Sequence, residues 1–164
     1  MKLSDLNYDY PESLVAIQPS RPTRVMWVDA HGKPSETTMR EMLERIPSGD
    51  IVVINDTKVL KRRVFAGDLE ILFLDQLPDG SWKVLFPSKK YSVGDTIRLP
   101  LGFSMTLKNK GLPQVVDVFP ALRESDFERM GELPLPPYIQ KARGARHTVA
   151  ADESWYQTAW ADKA

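Results

Sequence analysis

The chain has 164 residues, with 22 basic and 22 acidic side chains, 42% apolar residues and no cysteine. This is the composition of a globular protein able to bury a core of its own, and the lack of cysteine excludes disulfides, thiolate metal sites and a cysteine nucleophile. A formal net charge of zero excludes capture of nucleic acid by a global positive field, so any such contact needs a local basic patch.

From the N-terminus, Met1-Lys2-Leu3-Ser4-Asp5 leads into no apolar leader segment, and the longest aliphatic run, Ile51-Val52-Val53-Ile54, is far shorter than a membrane span. The expectation is a cytoplasmic protein with no membrane partner. Val25-Met26-Trp27-Val28 reads as a short strand followed by a turn at Ala30-His31-Gly32-Lys33-Pro34. Met39, Met42, Leu43 and Ile46 then fall at the spacing of one buried helical face, with Ser35 or Thr37 as the cap and Pro47-Ser48-Gly49 as the stop. The run 51–54 reads as a strand buried on both faces, ending in the turn formers Asn55-Asp56-Thr57.

Beyond Arg62 the texture is all-β. Strands are predicted over 69–75 and 82–86 around the turn Pro78-Asp79-Gly80, then over 96–99, 103–107 and 116–118, with Asn109-Lys110-Gly111 between the last two. This spacing suits a small antiparallel barrel or sandwich. A short helix over 125–130 closes at Gly131, and the prolines of Leu133-Pro134-Leu135-Pro136-Pro137-Tyr138 predict an extended connector. Trp155, Tyr156 and Trp160 form a late aromatic cluster that needs a packing partner.

Chemistry-bearing patterns are sparse. His31 and His147 lie far apart, with no serine or carboxylate at a catalytic spacing, and no metal site is predicted. No glycine-rich nucleotide fingerprint occurs. Asn55-Asp56-Thr57 follows a predicted strand, the place where open α/β sheets gather ligands. Asp56 there can orient a ribose hydroxyl or act as an acid/base, or simply cap a turn. Two basic runs, four residues in six over 58–63 and Lys141, Arg143 and Arg146 further on, suit either phosphate contacts or a solvated face.

Several segments, in order, resemble the S-adenosylmethionine:tRNA ribosyltransferase-isomerase family of queuosine biosynthesis. They are Tyr8-Asp9-Tyr10-Pro11, Gly49-Asp50 through Asn55-Asp56-Thr57-Lys58-Val59, Arg63, the 70–74 and Trp82 strands, Gly131-Glu132-Leu133-Pro134-Leu135-Pro136-Pro137-Tyr138-Ile139 and Tyr156-Gln157-Thr158. The resemblance implies an α+β fold in which a small antiparallel β-barrel domain is inserted into an incomplete α/β-barrel domain. Residues 1–61 would begin the α/β domain, 62–140 form the insertion and 141–164 return. It implies transfer and isomerisation of the ribosyl moiety of S-adenosylmethionine to 7-aminomethyl-7-deazaguanine in tRNA, giving epoxyqueuosine. S-adenosylmethionine would be a co-substrate, with no tightly bound cofactor, and tRNA the partner.

By the same resemblance, Asp56, Asn55 and Thr57 are the catalytic candidates. Lys58, Arg63, Tyr138, Tyr156, Gln157, Lys141, Arg143 and Arg146 are the substrate-binding ones. Departures accompany it: Lys58 replaces a usual arginine, Lys61 a usual proline, and the stretches 19–24 and 65–68 are short. Family members also continue past the Tyr156-Gln157-Thr158 region. The chain therefore reads as an N-terminal half or truncated homologue, inactive alone, whose partner is the missing C-terminal half or a second copy. The alternative is a non-catalytic RNA- or protein-binding β module.

Overall fold

The structure, a computed structural model, describes residues 2–158 and 161. After two short 3-10 turns, β1 (Arg24–Val28) and β2 (Pro34–Thr38) form an antiparallel hairpin. Its turn is held by Asp29, whose Oδ1 accepts the backbone N–H groups of His31 and Lys33 at 2.9 Å each. Helix α1 (Met39–Glu44) follows directly.

Residues 35–38 are strand, because they pair with β1, and the cap is Thr38 in place of Ser35 or Thr37. Thr38 Oγ1 accepts the Glu41 N–H while Glu41 accepts the Thr38 N–H, a reciprocal pair that fixes the helix start. The predicted buried face is also half open, with Met42 and Ile46 partly covered but Met39 and Leu43 exposed.

The run 51–54 is the larger correction. It forms no strand, and Ile51 and Val53 are 90% and 91% exposed. A continuously apolar strand is stable only between neighbours that pair its backbone and cover both faces, and no sheet among the described residues includes it.

The second sheet matches the β texture predicted beyond Arg62. It comprises β3 (Arg63–Ala66), β4 (Leu69–Gln76), β5 (Trp82–Leu85), β6 (Thr96–Arg98), β7 (Ser104–Asn109), β8 (Gln114–Phe119) and the short β9 (Gly131–Glu132). Every pairing is antiparallel, in the order β6-β7-β8-β5-β4-β3-β9. Register shifts in β4–β5 and β7–β8 bend the ladder. The sheet curls far enough for Val64 on β3 and Ile97 on β6 to share one buried cluster.

Helix α2 (Glu124–Met130) closes that cluster with Phe127, which has no exposed surface. Phe73, Trp82 and Phe127 meet edge to face, with centroids 5.1–5.7 Å apart, the arrangement that ring quadrupoles favour. The Arg62 guanidinium lies 4.3 Å above the Phe127 ring, held by Glu124 at 2.5 Å.

Gly131 ends α2 where the sequence placed the stop, in extended backbone at φ −90°. Its need for glycine is steric: a Cβ there would stand 2.0 Å from the Lys61 carbonyl oxygen and 2.7 Å from that of Phe127. The connector is extended over 133–136, as expected, but Pro137 and Tyr138 open α3 (Pro137–Arg143). Proline is tolerated in a first helical turn because its missing N–H would be unpaired there anyway. A final helix, α4 (Asp152–Trp155), precedes Tyr156. Trp155 and Tyr156 are half-buried, while Trp160 lies outside the described residues.

Replacing Gly131 with alanine should destabilise the protein by at least about 3 kcal/mol in chemical denaturation, because backbone has to move. Gly80→Ala, at φ +85° with nothing near its Cβ, should cost only about 1–2 kcal/mol. Equal costs at the two positions would contradict the close approach of β9 to Lys61.

Candidate functional site

Residues 55–63 run as a strip along the return segment 146–158. At its start Asn55 Oδ1 accepts the Thr57 N–H at 3.0 Å and the Thr57 hydroxyl at 2.5 Å. This local turn, anticipated from the short polar side chains, presents a half-buried Asp56 and an exposed Lys58. The Thr158 hydroxyl donates to the Thr57 carbonyl at 2.7 Å. Gln157 holds Val59 at two points: its Oε1 accepts the Val59 N–H at 2.8 Å and its Nε2 donates to the Val59 carbonyl at 3.2 Å.

Further along the strip, the basic run meets carboxylates. Lys61 Nζ reaches Glu153 at 2.7 Å and Glu128 at 3.4 Å, and the hydrogen bond it donates to Glu153 raises the ammonium pKa above its usual value. Arg63 is 1% exposed; its Nη2 lies 3.1 Å from Glu132 and donates to the Arg146 carbonyl at 2.7 Å. Glu132 also accepts the Thr148 N–H at 2.8 Å and pairs with His147 Nδ1 at 2.6 Å. Burial pushes the Glu132 carboxyl up, but the hydrogen bonds from Thr148, His147 and Arg63 together hold it below its ordinary value.

A second pair, formed by a half-buried arginine and a buried aspartate, braces the other side. Arg143 donates to both oxygens of Asp152 at 2.8 Å and also, through Nε and Nη2, to the Ile17 carbonyl at 3.0 and 2.8 Å. The Arg143 hydrogen bond depresses the Asp152 carboxyl, with burial opposing and the Val149 N–H reinforcing. A cleft of about 190 Å³ opens beside this pair, walled by Ile17, Pro19, Leu135, Ile139, Trp155 and Tyr156. Burial first, then the neighbouring Tyr138, raises the Tyr156 phenol pKa.

The fold thus brings the segment just after Asn55 and Asp56 against the return segment, Thr57 bonded to Thr158 and Val59 to Gln157. It uses others differently. Arg63, buried, and Arg143, half-buried, both expected to bind substrate, are engaged in internal ion pairs, a placement that leaves their charges facing Glu132 and Asp152. Lys141 pairs with Glu12 on the exposed surface. Arg146 is half exposed, lies over Phe65 and donates to the Asp68 carbonyl at 3.2 Å. His147, which the sequence placed in no catalytic or metal pattern, is exposed but engaged with Glu132 and the Phe65 ring. Glu132, Asp152 and Glu153 were not singled out; the signal was the presence of acids interleaved with the basic tail. Among the described residues no group of three or more histidines and carboxylates is placed to hold a metal ion, and no helix is long and apolar enough to cross a membrane.

Residues 3–164 match the family described as queuosine biosynthesis protein. The chain belongs to that family. Relatives in it include the S-adenosylmethionine:tRNA ribosyltransferase-isomerase of Parvibaculum lavamentivorans, 32% identical over 99% of this chain and 51% of its own length. The protein of the same name from Ruegeria sp. is 33% identical, over 98% of this chain and 50% of its own length. The chain therefore spans about half the length of these curated relatives. A crystal structure of S-adenosylmethionine tRNA ribosyltransferase from Thermotoga maritima shares 24% identity, with a TM-score of 0.38 over 87% of this chain and 55% of its own.

In this queuosine-family chain the Arg143–Asp152 pair makes a signed pH prediction. The folded Asp152 carboxyl is depressed, so its stabilisation is complete above the unfolded value of about 3.9 and is lost as pH falls through the lower folded value. Asp152→Asn, which leaves Arg143 uncompensated, should cost about 3 kcal/mol at pH 7, with the difference from wild type shrinking below about pH 4. Urea denaturation at pH 7 and pH 3 checks this; a pH-independent difference would contradict it.

Proposed function

We propose that this chain supplies one wall of a site for transfer and isomerisation of the ribosyl moiety of S-adenosylmethionine to 7-aminomethyl-7-deazaguanine in tRNA. Epoxyqueuosine forms, and adenine and methionine leave. The observation that carries the reading is the meeting of two motif segments: Thr57 and Val59 are bonded to Thr158 and Gln157 across about a hundred residues of intervening chain. The names of the relatives supply the reaction class.

In this reading Asp56 is the acid/base group or the acceptor for a ribose hydroxyl, at a spot where one positioned proton transfer contributes about 10²–10⁴-fold. Asn55 and Thr57 shape the turn that aims it. Tyr138 and Tyr156 offer faces on which an unstacked base or the adenine rests. Lys58, Lys141 and Arg146 are the basic side chains left accessible for tRNA phosphate, whereas Arg63 and Arg143 brace the frame. S-adenosylmethionine is a co-substrate, and the reaction belongs in the cytoplasm, with tRNA.

Residues 1–61 and 141–164 form part of a larger α/β unit, and 62–140 form the inserted β domain, with the sheet closing towards a barrel. The exposed apolar run 51–54 supports this, since such a segment calls for strand neighbours. The relatives are about twice as long, so the 164 residues by themselves are expected to need the counterpart of that remaining length, or a second copy, for turnover.

The test is adenine release from S-adenosylmethionine with tRNA carrying the 7-aminomethyl-7-deazaguanine base. This chain supplied together with the C-terminal half of a relative should release adenine in a tRNA-dependent way, and Asp56→Asn should lower that rate about 100-fold or more. The same 164 residues alone should release none. Full activity in the Asp56→Asn variant would remove the assigned role, and turnover by the 164 residues alone would overturn the shared-site reading. Binding of tRNA without any adenine release would instead favour a non-catalytic RNA-binding module.

A further inference from the structure

We propose that the cavity on the outer face of the curled sheet, walled by Glu70, Leu72, Leu85, Leu112, Gln114 and Arg146, is a second RNA contact that takes one unpaired nucleotide of the tRNA. The inference rests on the functional reading only for tRNA as the polynucleotide.

The cavity holds about 480 Å³, within the roughly 300–1,000 Å³ of small-ligand sites. Leu72 and Leu85 stand opposite each other in the β4–β5 ladder and are only half-buried. They alternate with Ile71, Phe73, Val84 and Phe86, which fill the core. Leu112, in the connection between β7 and β8, is 85% exposed. Strands β4 and β5 are paired on both sides, so no further strand can cover this patch by joining the sheet beside them. That separates it from the run 51–54.

The polar part of the wall is only partly committed. Gln114 is 5% exposed; its Oε1 accepts the Phe86 N–H at 3.3 Å and its Nε2 donates to the Ser88 hydroxyl at 3.0 Å. One lone pair and one N–H of the amide remain to read a base edge. Glu70 stands 3.7 Å from Arg146 and 3.8 Å from Arg63, beyond hydrogen-bond reach of both, so its oxygens can accept from a base. Arg146 lies over Phe65 and is half exposed, and a guanidinium plane is a surface on which an unstacked base settles.

The surrounding charge favours RNA over protein. The 3-10 turn Ser88–Lys90 is tied to the cavity wall by the Gln114–Ser88 bond and carries Lys89 and Lys90, while Lys110 stands two residues before Leu112. All three lysines are exposed and have no ion pair among the described residues. With Arg146 they outnumber the carboxylates of Asp68 and Glu70 in the wall. Lysine is depleted from protein–protein interfaces, whereas a cationic rim beside a surface for bases is how single strands are held.

The experiment titrates the 164-residue chain with a hairpin RNA that has an unpaired loop, and with a fully paired duplex of its stem. It reads affinity, salt dependence and backbone amide shifts. The hairpin should shift Leu72, Leu85, Leu112 and Gln114 saturably, and the duplex should bind at least about tenfold more weakly. Leu112→Asp, at a position too exposed to disturb the core, should weaken hairpin binding about tenfold or more. Phe119→Ser, an exposed apolar position outside the cavity, should leave it unchanged. Replacing Lys89 and Lys90 together with alanine should lower the salt slope by about 1–2.

No hairpin binding, binding with the four amides unmoved, equal affinity for hairpin and duplex, or full affinity in Leu112→Asp would each overturn the proposal. Self-association that ignores the RNA and is lost in Leu112→Asp would overturn it too, and make the patch a contact between copies. Adenine release separates this site from the functional reading. Hairpin binding at the cavity without any release removes ribosyl transfer and leaves the site standing. Release with a tRNA KM that Leu112→Asp does not move removes the site and leaves ribosyl transfer standing.

Discussion

A single buried guanidinium organises the described structure. Arg63 opens the first strand of the curled sheet, is 1% exposed, and bonds to Glu132 on the last strand and to the Arg146 carbonyl on the return segment. A charge in that position is tolerable only while its partners are present, because removing one partner of a buried pair leaves the other uncompensated, at a cost of about 3–5 kcal/mol. The beginning and end of the β unit must therefore close on each other. Glu132 spreads the same constraint, since it also holds Thr148 and His147.

The rest of the strip follows from that closure. Once Arg63 and Glu132 are joined, the chain just before β3 must run beside the chain just after β9. The approach is close enough that only glycine fits at position 131, against the Lys61 carbonyl. Lys61 then finds Glu153, Val59 finds Gln157, and Thr57 finds Thr158. The β unit acts as a clip: its two ends leave at one place and set two distant motif segments side by side. The basic run 58–63 is in consequence divided by depth. Lys58 stays in solvent, whereas Lys61, Arg62 and Arg63 serve internal carboxylates.

Much of the β unit was legible in the sequence, because its signals are local. Proline and glycine at 78 and 80 mark the β4–β5 turn, and alternation over 103–107 and 116–118 marks β7 and β8. The Asn55 turn was legible for the same reason, since its bonds span two residues. What failed depended on distant neighbours. The run 51–54 has the composition of a buried strand, but composition cannot supply the strands that would flank it, and the described residues do not. The roles of Arg63 and Arg143 were hidden because a basic residue looks alike whether it meets phosphate or an internal carboxylate; the deciding partners are 69 and 9 residues away. Gln157 was selected by resemblance, and only its two bonds to Val59 reveal what the amide does.

The proposed site is one ligand-facing unit formed by the 55–59 and 156–158 segments, with the curled sheet as its support. Backbone amide chemical shifts recorded while S-adenosylmethionine is added to the protein as encoded test it most directly. The account predicts shifts concentrated at Asn55, Asp56, Thr57 and Val59 and at Tyr156, Gln157 and Thr158, with the sheet residues Val64, Val84 and Val116 unmoved. Saturable shifts confined to the outer face of the sheet around Leu72, Leu85 and Leu112, with both segments silent, would contradict it.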